Sequence, residues 1–509
     1  MSLPHEYIGV TNRPRAVFRR GYAAVGRRWW SVAALAGVAV VLLGLSVRSP
    51  DRFGVLVVLL GLGCILVFVG LRDPVWAVFF LLIATFTRLA LPDILPVDPF
   101  LIAFAGVIAS AAIGISARTI TMPALGPVEA VMALYVVWNI GSMVALHTYQ
   151  ATVPTTGEGI SIWRFILNGT VIPFVLYFVG RSVFDTEASV RRLLWLVLAL
   201  SGYSAAVSIM QFRGPTSLVW PRYIVESPAW DSRAVGIFNQ PVVNGLILIV
   251  GFVVAMFLAA QKGGPAWRRV VVVVVAFASA YGIYLTHTRV VWLAFALVLV
   301  GGAACARGFR SGFVIGLVVA VLLVATHWAT FTSSDRAAGG VGSEDELHDR
   351  LNMIATSLGA AHEKPWAGWG IARFAAVNTY HHSQWSDDIP WERGFGIASH
   401  LNELGILVEL GLVGLALWLT VLGLVLLRLI RSYRTLPTDG LCSSRLGFVA
   451  LTAFLVLIVT GLTVDLRFFD FPNAVVMLLA GVTIGWARRY TDGADAVAEK
   501  DRNQEAVRT

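Results

Sequence analysis

Four charged or titratable residues lie in or beside long apolar segments, where charges are costly and are usually retained for a function. Arg233 lies in RAVGIFNQPVVNG, directly before an apolar segment, and Arg289 lies in LTHTRVVWLAF. Two guanidiniums at one membrane surface suit a diphosphate, because each can bind two phosphoryl oxygens and neither loses its charge. His400 and Glu409 lie in SHLNELGILVELGLVG. A neutral imidazole can accept a proton from a hydroxyl, and a buried carboxylate needs a cationic partner.

Each of these residues also has a structural interpretation. Arginines near the ends of membrane spans often extend toward lipid headgroups, and we favour that interpretation for Arg88 and Arg164, which are also candidates for substrate binding. A single histidine is more often structural than catalytic. Spacing alone leaves both alternatives open for Arg233, Arg289 and His400.

The sequence predicts neither a metal site nor a cofactor. Five residues could in principle collect a cation, namely His381, His382, Asp387, Asp388 and His400. Their spacing matches no metal signature, and we interpret the adjacent histidines as loop or sugar contacts. The chain also lacks a Walker A motif, a dinucleotide fingerprint and a nucleophile elbow. We therefore do not expect this chain to bind a molecule that supplies energy, such as a nucleotide.

The composition indicates a protein whose main solvent is lipid. Of 509 residues, 57% are hydrophobic and 14% are charged, and the mean hydropathy is +0.76. A soluble domain is about half apolar and about a quarter charged. This excludes an ordinary cytosolic enzyme, a nucleic-acid binder and a disordered scaffold, and it makes membrane lipids an expected partner.

Fourteen segments are apolar enough to cross a membrane, three of them short, so we predict about 12–14 transmembrane helices in an all-α, polytopic membrane protein. The segments are 29–47, 53–71, 75–91, 100–115, 128–146, 162–179, 193–212, 242–260, 270–286, 290–306, 313–331, 404–427, 446–462 and 471–487. The first follows an arginine-rich stretch and no small-residue cleavage site follows it. We expect it to remain as an anchor.

The Lys and Arg residues predict the orientation. If the N-terminus is cytoplasmic, 25 of the 39 basic residues fall on inside segments and 12 on outside segments, as the positive-inside rule requires. The predicted divisions are a basic cytoplasmic segment, eleven helices, a large extracytoplasmic loop, three helices and a cytoplasmic tail. They span 1–28, 29–331, 332–403, 404–487 and 488–509.

The large loop has room for a site that faces water. Ser343 and Glu346 form a capping-box pattern at the start of a predicted amphipathic helix, which Lys364-Pro365 ends. Apolar residues recur at helical spacing, so one face can pack or rest on the membrane surface. They are Leu347, Leu351, Ile354, Leu358 and Ala361. Four tryptophans follow, which could stack on sugars, pack, or anchor at the interface.

Taken together and in order, these motifs resemble the O-antigen ligase and polymerase superfamily of integral-membrane glycosyltransferases. Three segments carry the resemblance: RAVGIFNQP, THTRVVWLAF, and the loop that runs from Arg350 through KPWAGWGIARF to His400, Glu409 and GLVG. The family usually has about twelve spans, so the additional spans are expected near the N-terminus. Thr288 and Val290 stand where the family has Ser and Gly.

The resemblance implies a GT-C-like fold and a metal-independent, inverting transfer at the outer face of the cytoplasmic membrane. The donor would be a glycan on a polyprenyl diphosphate, and the acceptor a glycan or a lipid. Arg233 and Arg289 would stabilise the departing diphosphate, and His400 would deprotonate the acceptor hydroxyl. Arg350 and Asn402 would orient glycan or carrier. Glu409 would position His400.

Two other functional classes of protein also fit the sequence. A transporter or flippase of lipid-linked sugars fits the number of spans, although such proteins often have repeated halves with broken helices, and the sequence has no convincing repeat. A scaffold for an envelope-polymer complex would tolerate substitutions of Arg233, Arg289 and His400. Within the glycosyltransferase hypothesis, a polymerase and a ligase differ only in the acceptor.

Overall fold

The chain is an all-α membrane protein with one small hairpin in the described part. The computed structural model describes residues 70, 73–90, 98–122, 124–226, 232–261, 263–335, 340 and 344–508. The predicted basic segment and the first two predicted spans lie outside these residues, except for Gly70.

A helix lies at each of the twelve remaining predicted spans. Nine are long and apolar enough to cross a membrane, and α1, α9 and α10 are shorter apolar helices. The helices are α1 Pro74–Phe86, α2 Pro99–Ser116, α3 Pro127–Val144, α4 Ile162–Val183, α5 Glu187–Arg213, α6 Tyr223–Glu226, α7 Pro241–Ala259, α8 Ala266–Leu285, α9 Arg289–Cys305, α10 Arg310–Thr326, α11 Trp328–Thr332, α12 Asp345–Glu363, α13 Phe374–Tyr380, α14 Asn402–Thr435, α15 Ser444–Gly461 and α16 Asp470–Arg508. The prediction of a polytopic α-helical membrane protein is confirmed.

Two helices form the centre of the bundle. In the 18-residue apolar stretch of α7, 89% of the residues are buried, and the helix packs against α5, α8 and α15. In α16 the corresponding share is 94%, and this helix packs along α4. A helix that is apolar on all sides, as α7 is, belongs in the interior of a bundle.

The segment between α3 and α4 carries the two strands, β1 Thr152–Val153 and β2 Glu158–Gly159. They pair antiparallel, with Thr152 opposite Gly159. Strand β1 contacts α13, so this hairpin and the segment 344–401 form one layer. That layer holds two of the candidate site residues, Arg350 and His400.

Helix α12 forms where the apolar spacing predicts it, but its buried face differs from the predicted stripe. Leu347 and Leu358 are 47% and 51% exposed, whereas Asn352 and Thr356 are buried. The Asn352 amide donates to the carbonyls of Pro390 and Arg393. Buried loop carbonyls need donors, so a polar face of α12 packs against the loop.

The predicted capping box includes a residue that the structure does not describe. Ser343 lies outside the described residues, α12 begins at Asp345, and Glu344 occupies the N-cap position without a side-chain cap. The carboxylate of Glu346 instead pairs with Arg233. The pattern placed the helix start well, but a local pattern could not show that Glu346 pairs with a guanidinium 113 residues away.

Helix α14 is broken inside the membrane-spanning region. Gly411 has φ 69° and ψ −171°, outside the helical range. The broken turn is completed by the segment 365–370: Trp369 donates to the carbonyl of Val408 at 2.8 Å, and Leu412 donates to the carbonyl of Pro365 at 2.7 Å. Backbone in lipid must be satisfied internally, so a break of this kind needs protein partners.

Small residues make this close approach possible. A Cβ on Gly411 would lie 2.2 Å from the carbonyl oxygen of Trp366, and a Cβ on Gly368, which has φ +70°, would lie 2.5 Å from the backbone of Glu409. Trp138 of α3 also donates its indole N–H to the carbonyl of Leu410 at 3.0 Å. The conformation of the loop and the break in α14 therefore depend on each other.

We expect Gly411→Ala to lower the melting temperature of the protein in detergent. The φ and ψ angles of Gly411 fall in a region that only glycine adopts readily, at a cost of about 1–3 kcal/mol for other residues, and the new methyl group would also clash with Trp366. Gly423→Ala is the matched control in the same helix, because its Cβ meets nothing within 4 Å. Equal melting temperatures for the two variants would contradict this account of the break.

Candidate functional site

The segment RAVGIFNQP is held in a compact turn by one buried asparagine. The Asn244 side chain, in α7, donates to the carbonyl of Ala234 at 3.0 Å and to the Ser208 hydroxyl at 2.9 Å, and it accepts from the Ser204 hydroxyl at 2.7 Å. Gly236 has φ +56°, and a Cβ there would lie 2.4 Å from Asn244. This turn positions Arg233, which is 8% exposed.

Arg289 is placed by the short turn between α8 and α9. It is the first residue of α9, and the preceding Thr288 hydroxyl donates to the carbonyl of Thr286 at 2.8 Å. Nδ1 of His287, a residue in left-handed conformation, lies 2.6 Å from the carbonyl oxygen of Ser232. This contact joins the Arg289 turn to the Arg233 segment.

Helix α12 adds a third guanidinium to these two. Glu346 pairs with Arg233, and Arg350, one turn further along, interacts electrostatically with Arg233, Arg289 and Glu346. Burial, together with the two neighbouring guanidiniums, lowers the pKa of Arg350. Three cationic side chains from three separate segments therefore share one region, and we call Arg233, Arg289 and Arg350 the arginine cluster.

His400 lies beside the arginine cluster. Burial is the main cause that lowers its pKa, followed by the charge of Arg350, while the carboxylates of Asp349, Glu346 and Asp465 act in the opposite direction. Its Nδ1 atom is buried and has no hydrogen-bond partner among the described residues. At neutral pH the ring is therefore uncharged, which is the state that a general base requires.

A buried ionic network lies behind His400. Glu409 in α14 accepts from the Phe374 amide at 3.0 Å and pairs with Arg467 at 2.7 Å. Arg467 also forms a two-point pair with Asp465, at 2.9 and 2.6 Å. All three charged side chains are nearly inaccessible to solvent, and Asp465 is one of the charges that act on His400. The network joins α14, α13 and the turn before α16.

Two predicted arginines have carboxylate partners outside the arginine cluster. Arg164 pairs with Asp98 at 3.1 Å, and its side chain is 43% exposed. Arg88 pairs with Asp470 at 3.3 Å and lies 4.8 Å above the Phe100 ring. Arg88 and Asp470 also line a cavity of about 90 Å³. Apolar side chains, among them Phe86, Ile237, Phe238 and Phe468, form the rest of its wall.

Asn402 and the two adjacent histidines have local partners. Asn402 is buried at the start of α14, donates to Glu403 at 3.2 Å, and has a buried Oδ1 without a partner in the described part of the chain. His381 contacts the Tyr149 hydroxyl at 2.8 Å and pairs with Glu363 at 3.1 Å. His382 contacts Asn378 and Trp391. Within the described residues, no three His, Cys, Asp or Glu side chains converge as metal ligands would.

Sequence reasoning missed three residues of this region. Glu346 was assigned to a helix cap, and Asp465 and Arg467 were not singled out. A signal for the last two was present, because VDLRFFD places three charges in a short connection between two apolar spans. Such charges within a membrane protein indicate buried pairing or function.

The arrangement suits reactions in which negative charge develops on an oxygen-rich leaving group. Several preorganised cations can stabilise such a charge without rearrangement, and an adjacent neutral imidazole can remove a proton from an attacking hydroxyl. The carboxylates of Glu346 and Asp349 balance part of the positive charge of Arg350.

One comparison with known proteins bears on this geometry. Residues 274–419 match the O-Antigen ligase family. The match includes Arg289, Arg350, His400 and Glu409, whereas Arg233 lies before it. No curated protein matches the chain. The resemblance to the O-antigen ligase and polymerase superfamily is thus confirmed over these residues, and the chain is a multi-pass membrane protein in which residues 274–419 match the O-Antigen ligase family.

Proposed function

We propose that this protein transfers or polymerises glycan from a polyprenyl-diphosphate-linked donor onto an acceptor hydroxyl, at the outer face of the cytoplasmic membrane. The observation that carries the proposal is the convergence of Arg233, Arg289, Arg350 and His400 from four separate parts of the chain. The O-antigen ligase match supports a transfer enzyme of this class. The acceptor is a second glycan or a lipid.

The proposed reaction needs neither a metal nor a nucleotide, because the donor is already activated. His400 removes the proton of the acceptor hydroxyl as its oxygen attacks the anomeric carbon. The bond between that carbon and the diphosphate oxygen breaks, and the electron pair leaves with the diphosphate. Arg233 and Arg289 stabilise the resulting charge. Attack opposite the leaving group inverts the anomeric centre.

Other residues of the region would bind and orient the substrate. Arg350 and Asn402 would orient the glycan or the carrier, and Glu409 would act on His400 through the Arg467–Asp465 pair. Arg88 stays a candidate for substrate binding, because it lines a largely apolar cavity to which Ile237 and Phe238 of the Arg233 segment also contribute. Arg164 remains a prediction, and its ion pair with Asp98 supports the structural interpretation.

The protein reconstituted in vesicles with lipid-linked oligosaccharide should release polyprenyl diphosphate and form a new glycosidic bond. We expect Arg289→Ala to lower this rate by about 10²–10³-fold, as loss of one preorganised donor does in other enzymes. Arg213→Ala is the matched control, because Arg213 is an exposed arginine at the end of α5. Oligosaccharide that crosses the bilayer without bond formation would contradict the proposal and favour a flippase. Equal rates for Arg289→Ala and the control would contradict the role of Arg289.

A further inference from the structure

A column of three aromatic rings lies in the layer formed by the hairpin and the segment 344–401. The Tyr149 ring stacks on Trp369, with 5.6 Å between centroids and 18° between planes, and Tyr380 stacks on Tyr149 at 4.8 Å and 19°. Trp369 is 5% exposed, whereas Tyr380 is 61% exposed. The column therefore begins in the protein interior and ends on an aromatic ring at the surface.

Polar contacts fix the two inner rings, and Tyr380 is held by its stacking on Tyr149. The Trp369 indole donates to the carbonyl of Ala360 at 2.8 Å. The Tyr149 hydroxyl contacts His381 at 2.8 Å, and the Tyr149 carbonyl accepts from Arg373 at 2.8 Å. Because Tyr149 covers one face of Tyr380, the exposed area of Tyr380 includes the opposite face. A ring held in this way loses little conformational entropy when it binds a ligand.

Hydrogen-bonding groups lie beside the two inner rings of the column, and the Lys364 ammonium lies 3.9 Å from the centroid of the Trp369 ring. His381 pairs with Glu363, whose side chain is 50% exposed, and Lys364 contacts the Thr148 hydroxyl at 3.1 Å. A flat aromatic face with ionic and hydroxyl groups at its edge suits a carbohydrate, which presents an apolar C–H face and a rim of hydroxyls. A purely apolar ligand would leave these polar groups unused.

The column lies beside the opposite half of α12 from the arginine cluster. Ala360, which accepts from Trp369, is ten residues after Arg350, and this corresponds to about 15 Å along a helix. An oligosaccharide of a few units extends over such a distance. The proposed substrate is therefore long enough to reach from the arginine cluster to the half of α12 that contacts the column.

We propose that Tyr380, supported by Tyr149 and Trp369, forms a glycan-binding subsite for sugar units distant from the reacting bond. The identity of the ligand as a substrate glycan rests on the proposed function, whereas the binding surface rests on the ring column. The subsite raises affinity for long glycans and takes no part in bond formation.

The test is binding of the detergent-solubilised full chain to an immobilised panel of bacterial surface polysaccharides, without turnover. We expect the wild type to bind at least one polysaccharide, and Tyr380→Ala to weaken that binding by about tenfold, as loss of a central aromatic contact does. Tyr380→Phe keeps the ring and should bind as the wild type does. Leu358→Ala removes an equally accessible apolar side chain of α12, 51% exposed, and should also bind normally.

The outcomes separate this proposal from the proposed function. Binding that depends on the Tyr380 ring, in a protein that shows no transfer in vesicles, would retain the subsite and reject the enzyme. Transfer in vesicles with unchanged binding in Tyr380→Ala would reject the subsite alone. Absence of any binding by the wild type would also overturn the subsite.

Discussion

We expect His400→Ala to lower the rate of glycosyl transfer by about 10²–10⁴-fold, the range that a general base typically contributes. The ring lies beside the arginine cluster, burial lowers its pKa, and its buried Nδ1 has no partner within the described residues. A substitution that removes the imidazole removes the proton acceptor and leaves the cations in place. The measurement is single-turnover product formation in vesicles with saturating lipid-linked donor.

His362→Ala is the matched control for this substitution. His362 is an exposed histidine near the end of α12, in the same layer of the protein. It should transfer at the rate of the wild type, and both variants should have the melting temperature of the wild type. A His400→Ala protein that is stable and transfers at more than a tenth of the wild-type rate would contradict the role of general base.

The pH dependence of the transfer rate is a second measurement. A histidine with only a structural role would not determine the midpoint of this dependence. Because the neutral ring is active and its pKa is lowered, the rate should fall on acidification with a midpoint below the ordinary value of about 6.5. Arg350→Gln removes a charge that lowers this pKa, so the midpoint should move to higher pH. Asp349→Asn removes a charge that raises it, so the midpoint should move to lower pH. If neither substitution moves the midpoint of the pH profile, His400 is not the titrating group.

The apolar spans were the most predictable part of this protein. A helix in lipid needs about 20 apolar residues, so hydropathy alone located each of the twelve spans in the described part. The break in α14 could not be located in this way. Residues 404–427 form one apolar span in the sequence, and the partners that complete the broken turn come from 365–370, more than forty residues earlier.

The arginine cluster was partly predictable, because arginines in apolar surroundings are rare and each could be named from the sequence. The carboxylate partners of these arginines could not be predicted from the sequence. Glu346 matched a local capping pattern, and nothing local to α12 indicates that Arg233 is its partner. The pairing within the network of Glu409, Arg467 and Asp465 was equally unpredictable. Glu409 and Arg467 are 58 residues apart and meet only when the bundle forms.

The Arg467 network should be the most costly ionic contact to disrupt. Arg467 is 4% exposed and pairs with both Glu409 and Asp465. Arg467→Met leaves two buried carboxylates close together without a counter-charge. Loss of one partner from a buried pair typically costs about 3–5 kcal/mol, so we expect a destabilisation of this size. The measurement is the free energy of unfolding in mixed micelles, followed by helical circular dichroism.

Arg222→Met is the matched control for Arg467→Met, because Arg222 pairs with Glu226 at 3.2 Å on an exposed helix turn. Exposed pairs contribute about 0–1 kcal/mol, so this variant should unfold almost as the wild type does. Equal stabilities for the two variants would contradict the assignment of Arg467 as the counter-charge of both carboxylates.

A triple substitution separates the effect of the buried charges on stability from the effect of side-chain packing. In Glu409→Gln, Asp465→Asn and Arg467→Met combined, no buried charge remains unpaired, so most of the stability lost in Arg467→Met should return. Transfer activity should not return with it if the network also positions His400, because Asp465 no longer contributes its charge. A triple variant that regains both stability and turnover would show that the network stabilises the fold without positioning His400.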